Sequence, residues 1–299
     1  MIDYGIINGK VQVTIEAITM IGCIDVGGGL RDIYGAGVFD YLLDNEIYLD
    51  CFIGVSAGSA NGASYIARQR GRNKLFYLDY SMRKEAMSPY NFIKTGSYLN
   101  LEYIYGTLSA EGGEYPLDYE ALKASSTDFI VVATDAETGR PRYFNKKDDI
   151  RKNDYRIIMA SSCLPLACKP IQVYSSKYYD GGISDPIPIK KAFDMGCDKV
   201  IIVLTKPIET ELKQLKNEVA SRVIKTRYPK LAEAIDTMVQ KYTDTLQQAI
   251  ELQEEGKVLI IAPDDILGMK TLTKDHEKLN ALYEKGYKDA EQIKDFIQE

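Results

Sequence analysis

Short apolar runs alternate with stretches of helical periodicity along most of this chain. Thr19 to Val26 is a compact apolar run that stops at Gly27-Gly28-Gly29. From Ile33 to Asn45, Val38, Leu42 and Leu43 recur at helical spacing, with Phe39 and Tyr41 widening the apolar face. A second run, Cys51 to Val55, ends at Ser56 and leads into a helix-like stretch, Ser59 to Arg70. Asp128 to Ala133, Lys199 to Thr205 and Lys257 to Ala262 are strand-like and rich in β-branched residues. Arg142-Tyr143-Phe144 suits a short strand pairing back, and Ile171–Tyr174 with Tyr178-Tyr179 suits a hairpin around Ser175-Ser176. Tyr155 to Ser162 reads as a short helix closed before Pro165, and Ile189 to Met195 as a helix ended by Gly196. Glu209 to Glu255 is a long helical region broken near Pro229, and Lys274 to Gln298 a charged terminal helix. The stripe Leu231, Ile235, Met238, Tyr242, Leu246, Ile250 faces a polar side of mixed charge, which favours core packing over a membrane-binding face. Residues 1–17 alternate loosely (Val11, Val13, Ile15) and suit an edge strand. The β–α alternation predicts one domain over residues 1–299, with a parallel-rich sheet covered on both faces.

Chemistry concentrates where apolar runs end. Gly54-Val55-Ser56-Ala57-Gly58 is a G-x-S-x-G pattern between a strand and a helix, the context in which a serine is pushed out on a sharp turn. A plain Gly-rich turn has the same letters. Gly27-Gly28-Gly29 can point backbone N–H groups at an anion, either a phosphate or a tetrahedral acyl oxyanion. The dinucleotide pattern fits poorly, because its next glycine would fall at Asp32. Asp180-Gly181-Gly182 follows a strand; it reads as an Asx-type turn or, beside a G-x-S-x-G, as the carboxylate partner of Ser56. Residues 71–125 are irregular and rich in tyrosine. They suit amphipathic filler, or a cap over an apolar acyl pocket.

Composition narrows these options. At 299 residues, 45 % hydrophobic and 27 % charged, the chain can bury a substantial core. A net charge of −6 argues against a nucleic-acid partner and against strong attraction to anionic membranes. Five cysteines without C-x-x-C suggest neither a disulfide framework nor zinc. No signal-peptide pattern or membrane-spanning run is evident, so a cytoplasmic protein is expected. The single histidine, His276, lies in a charged segment and reads as a surface residue, so any base for Ser56 is a carboxylate or lysine.

The Gly loop, G-x-S-x-G and D-G-G, in this order and without a triad histidine, resemble the patatin-like phospholipases over roughly residues 19–205. Val132-Ala133-Thr134-Asp135, Ala160-Ser161-Ser162 with Leu164-Pro165, and Ile183-Ser184-Asp185-Pro186 look like the bacterial members too. The resemblance implies a three-layer α/β/α fold and hydrolysis of lipid acyl esters, without cofactor or metal. The chain would then contact a membrane surface only transiently. It implies Ser56 as nucleophile, Asp180 as its base, and Gly27, Gly28, Gly29, Leu30 and Arg31 as the oxyanion-hole loop. Asp32 departs from the family, which has glycine there. Its carboxylate would oppose an oxyanion and leave a weakly active or merely lipid-binding relative, or it caps the next helix through the amides of Tyr34 or Gly35. The second reading is favoured.

Overall fold

The computed structural model describes residues 2–7, 10–15, 19–210 and 215–298. Its strands are β1 (Ile2–Ile7), β2 (Lys10–Ile15), β3 (Ile21–Asp25), β4 (Cys51–Val55), β5 (Asp128–Asp135), β6 (Pro141–Asn145), β7 (Ile171–Val173), β8 (Ser176–Asp180), β9 (Lys199–Val203) and β10 (Val258–Ile261). The first helices are α1 (Ile33–Asp44), α2 (Ala57–Ile66), α3 (Arg72–Leu78), α4 (Pro89–Thr95), α5 (Tyr119–Ala124) and α6 (Lys146–Asp149). They are followed by α7 (Arg156–Ser161), α8 (Ile189–Asp194), α9 (Leu215–Ile224), α10 (Pro229–Glu254), α11 (His276–Asp289) and α12 (Ile293–Gln298).

Eight strands form one sheet in the order β10-β9-β3-β4-β5-β8-β7, with β6 also paired to β5. The run from β10 to β5 is parallel, while β6 and β8 join β5 antiparallel. Side-chain alternation divides the strands between the two faces. Cys23, Phe52, Phe129 and Ile201 join the core beneath α1, α2, α7 and α11. Ile24, Ile53, Ile130 and Ile202 face the other way, toward α8 and α10. The architecture is therefore mixed α/β with helices on both sides of a mainly parallel sheet, as the strand runs predict. All five cysteines are buried and free.

Two local expectations differ. Strands β1 and β2 pair antiparallel as their own two-stranded sheet, and not as an edge of the main sheet. The terminal helix is split, α11 passing through a short 3-10 turn into α12.

Helix α11 is held on α1 by a glycine-to-backbone approach at both ends of the crossing. A methyl group on Gly37 would lie 2.1 Å from the Tyr283 carbonyl oxygen, and one on Gly286 would lie 2.0 Å from that of Tyr34. No side chain can yield there, since the obstacle is backbone. Gly286→Ala is expected to push α11 off α1 and cost about 1–3 kcal/mol of unfolding free energy by urea denaturation. A change within a few tenths would contradict this packing.

Candidate active site

The parallel register sets Asp25 of β3 beside Gly54 of β4, so the two chains leave the sheet at the same carboxyl edge. On the other flank of β3, β9 ends at the same edge and continues into Thr205-Lys206. The chain turns toward β4 after β3 but toward β10 after β9. Crevices in open α/β sheets form where such connections diverge.

Ser56 sits on the turn between β4 and α2 with φ +56° and ψ −130°, a conformation that costs a non-glycine residue of order 1–3 kcal/mol. Neighbours hold it there. Its amide donates to Ser161 Oγ at 2.8 Å, and its carbonyl accepts from Ser59 Oγ at 2.7 Å. Glycine at 58 lets α2 press on Asp25, whose carbonyl oxygen would lie 2.4 Å from a methyl group. Gly54 meets the backbone of Ser59 in the same way.

The Ser56 hydroxyl donates to Asp180 Oδ2 at 2.6 Å, across 124 residues of sequence. Asp180 Oδ1 accepts the Gly182 amide at 2.8 Å, and Gly181 packs against the main chain of Val132. The Asp180 backbone is fixed by its amide bond to the Cys163 carbonyl and by Thr134 Oγ1 donating to its own carbonyl. Burial pushes the Asp180 carboxyl up to about 6, against the opposing pull of the Ser56 hydroxyl and the Gly182 amide. His276 is exposed at the start of α11 and lines neither cavity beside Ser56.

The glycine loop is narrower in what it offers than its sequence suggests. Gly27 N–H is committed to Asp25 Oδ1 at 3.1 Å, and its carbonyl accepts Thr205 Oγ1 at 2.6 Å. Leu30 N–H donates to the Thr271 carbonyl at 2.8 Å. So Gly27 and Leu30 do not present free amides. Gly28 and Gly29, at φ +149° and +62°, keep theirs without a protein acceptor among the described residues. Arg31 follows in a 3-10 turn, 9 % exposed, with its Nε buried and unpartnered.

Asp32 does not cap α1, contrary to the reading favoured from sequence: its side chain accepts from no amide of the first turn. It is wholly buried with Asp25, and both carboxyl groups lie within about 3 Å of the position a Gly35 side chain would take. Asp25 has donors to spare, the Gly27 amide on one oxygen and Asn61 Nδ2 on the other. Asn61 is itself fixed by Tyr77, whose hydroxyl donates to its Oδ1. Asp32 has no such donor on either oxygen. Burial raises the Asp32 carboxyl far above its usual range, and the Asp25 charge raises it further. Burial raises Asp25 only to about 6, which favours keeping the proton of the pair on Asp32. A neutral acid at that position would place no charge against an oxyanion.

Ser56 opens on two cavities. A narrow slot of about 70 Å³ runs toward Phe76, Leu99, Leu101 and Ile104, so the Tyr-rich excursion walls an apolar space. A wider cavity of about 410 Å³ holds Asp180, Arg31 and Lys206, with Ile235, Met238 and Tyr242 of α10 opposite. Sequence reasoning missed Asp25, Asn61, Thr205, Lys206 and Thr271, and quoted Ser161 without giving it a role. The first two were within reach of it, as polar residues inside an apolar strand and an otherwise apolar helix face.

Because the folded chain keeps a proton on Asp32 that the unfolded chain releases above about 3.8, that group makes stability fall as pH rises. Asn at this position keeps a donor toward Asp25 without the proton. The stability advantage of Asp32→Asn over the parent should therefore grow between pH 5 and pH 8 in urea titrations. A gap independent of pH would show that Asp32 is ionised.

Residues 26–193 match the patatin-like phospholipase profile, and residues 228–299 match a domain of unknown function, DUF6363. The chain is 29 % identical over 192 residues to the uncharacterized protein YjjU of Escherichia coli (strain K12). That alignment covers 62 % of this chain and 52 % of YjjU, so the chain spans about half the length of this curated relative. Among solved structures, VipD from Legionella pneumophila aligns with a TM-score of 0.48 and 13 % identity, covering 98 % of this chain and 70 % of VipD. The matched stretch contains both Ser56 and Asp180 and more than half of the sequence; this chain belongs to the patatin-like phospholipase family.

Proposed function

We propose that the protein is a serine acyl hydrolase acting on ester bonds of lipids, with Ser56 as nucleophile and Asp180 as its base. The observation that carries this reading is the 2.6 Å bond from Ser56 Oγ to a buried carboxylate with no histidine nearby. Asp180 takes the hydroxyl proton as Ser56 Oγ attacks the ester carbonyl. The developing oxyanion is received by the free amides of Gly28 and Gly29, supported by the first turn of α2. Asp180 then returns the proton to the leaving alkoxide; a water, deprotonated by the same carboxylate, attacks the acyl-enzyme, and Asp180 passes that proton to Ser56 Oγ as its bond to the fatty acid breaks. The apolar slot suits the acyl chain.

Access from a lipid surface is supported by the rim. Leu166 borders the wide cavity and also an exposed apolar patch with Phe92 and Ile93, which are 51 % and 84 % exposed. That much apolar surface at a cavity mouth is costly in water and suits transient insertion into a bilayer interface. Within this reading the chain works as a peripheral, cytoplasmic enzyme.

Ser56→Ala and Asp180→Asn should each lower hydrolysis of p-nitrophenyl esters by at least about 10³-fold without loss of folding, whereas His276→Ala should retain activity. A serine-directed fluorophosphonate should label the parent and not Ser56→Ala; absence of labelling would favour a lipid-binding protein without catalysis. Since Asp180 must be ionised, kcat/KM should drop about tenfold per unit as pH falls below about 6. A profile flat from pH 4 to 8 would remove Asp180 as base. For the rim, Ile93→Glu should lower the ratio of vesicle hydrolysis to soluble-ester hydrolysis, and an unchanged ratio would place the lipid entry elsewhere.

A further inference from the structure

The apolar rim of the wide cavity has unpaired lysines at both ends of its helix. Helix α4 turns Phe92 and Ile93 outward, and Tyr90 on the same helix and Leu166 on the adjoining loop are exposed as well. Lys94 follows Ile93 in the helix. Lys169 comes from the chain after Leu166, and its stem lies against the end of α4, where a methyl group on Gly96 would meet Lys169 Cε at 2.6 Å. At the other end, Lys274 Nζ donates to the Met87 carbonyl at 3.1 Å, and the Lys84 carbonyl accepts Asn91 Nδ2 at 3.2 Å. All four lysines are exposed, and none forms an ion pair among the described residues.

Elsewhere on the surface, lysines are matched within their own helix: Lys190 with Asp194, Lys230 with Glu233, Lys285 with Asp289. Around α4 the acids are few or engaged. Asp79 and Glu114 hold Arg83, at 3.5 and 2.7 Å, and Asp275 caps α11 by accepting the Lys278 amide. Glu85 is the only acid between Lys84 and Lys94 in the sequence. The chain as a whole is acidic, but charges more than about 10 Å away are largely screened at 0.1 M salt, so the local excess of cations decides what this face attracts. Apolar side chains that enter a bilayer, with lysine stems reaching up to the headgroups, are the arrangement of an interfacial helix. Tyrosine at the border suits the same depth.

We infer that α4 and the turn at 165–169 form a docking surface for anionic bilayers, with Phe92, Ile93 and Leu166 entering the membrane and Lys84, Lys94, Lys169 and Lys274 meeting its anionic headgroups. This face thus reverses locally what the net charge of the chain implies. Leu166 also borders the wide cavity, so docking sets the cavity mouth against the lipid. The inference deepens the lipid-entry part of the proposed function and takes its purpose from that reading, whereas the binding itself needs no reaction at Ser56.

The test is cosedimentation of the full chain, carrying Ser56→Ala so that lipid stays intact, with vesicles of phosphatidylcholine alone or of seven parts phosphatidylcholine to three of phosphatidylglycerol. The anionic vesicles should bind about tenfold more tightly or better, and about 1 M salt should remove the difference. Lys94→Gln with Lys169→Gln should weaken binding to anionic vesicles about tenfold or more, at roughly fivefold per lysine, and Lys94→Arg with Lys169→Arg should keep it. The same loss of two charges on α8, Lys190→Gln with Lys191→Gln, should change little. The chain has no tryptophan, so Phe92→Trp reports insertion directly. Its emission should shift to the blue with anionic vesicles, and that of Tyr48→Trp, on the loop before β4, should not. Equal binding to both vesicles, or no effect of the lysine pair, overturns the inference. If vesicles are not bound and Ile93→Glu instead converts a dimer to a monomer, a second copy of the chain covers this face and the inference is overturned as well. If lysine-dependent binding is seen while the parent hydrolyses no ester, the docking surface stands and the hydrolase reading fails.

Discussion

The geometry of the site depends on β3 and β4 lying in register, Asp25 against Gly54. Parallel neighbours that end together must release their chains at one edge, and here one release is the glycine loop and the other is Ser56. The spacing between the loop amides and the serine oxygen is therefore set by backbone hydrogen bonds of the sheet, and not by flexible side chains. The close approaches at Gly54 and Gly58 serve that spacing, because a Cβ at either position would drive α2 off the strand ends. Preorganised donors are effective because little needs to move during reaction.

Burial acts on every acid at this edge, with different outcomes. Asp180 is buried but has the Ser56 hydroxyl and the Gly182 amide, so its carboxyl rises only to about 6 and is ionised near neutrality. Asp32 has no hydrogen-bond donor among the described residues and a carboxyl neighbour, and its carboxyl rises far above the usual range. Asp25, with two donors like Asp180, also rises only to about 6; it accepts Gly27 and Asn61 and so ties the loop to α2. What distinguishes the three is the number of donors aimed at each carboxyl, since all are buried alike. The aspartate at position 32, where the family resemblance expects glycine, is buried as half of an acid pair with Asp25.

Much of this was legible in the sequence for local reasons. Strand stretches such as Cys51–Val55 and Val200–Val203 are uniformly apolar because helices cover both of their faces, and a run of that length between turn residues has few other uses. Ser56 and Asp180 could be singled out because glycines beside a polar residue at a strand end are a local pattern. Asp32 was misread for the converse reason. Its partner Asp25 is near in sequence but reached only after the loop folds back, whereas an N-cap is the commoner fate of an aspartate before a helix. The Thr271 carbonyl that occupies Leu30 N–H is a backbone group in a distant loop, and no side-chain pattern announces it. The Tyr-rich excursion is built from short pieces, including a six-residue π-type turn at Glu102–Thr107, which leave no sustained period to read.

The C-terminal segment, from Tyr228 onward, is attached to this edge at several points that differ in kind. Helix α11 is locked on α1 by backbone contact, Thr271 accepts a bond from the glycine loop, and α10 faces Ser56 across the wide cavity. A segment that only stabilised the fold would need the first of these. Occupying a loop amide beside Ser56 sets which amides remain for a substrate, and supplying Tyr242 sets where the Lys206 ammonium rests. Under the acyl-hydrolase proposal, changes in this segment should alter ester selection before they alter folding, because two of its three attachments bear on the space beside Ser56 and only one on the packing of the helices.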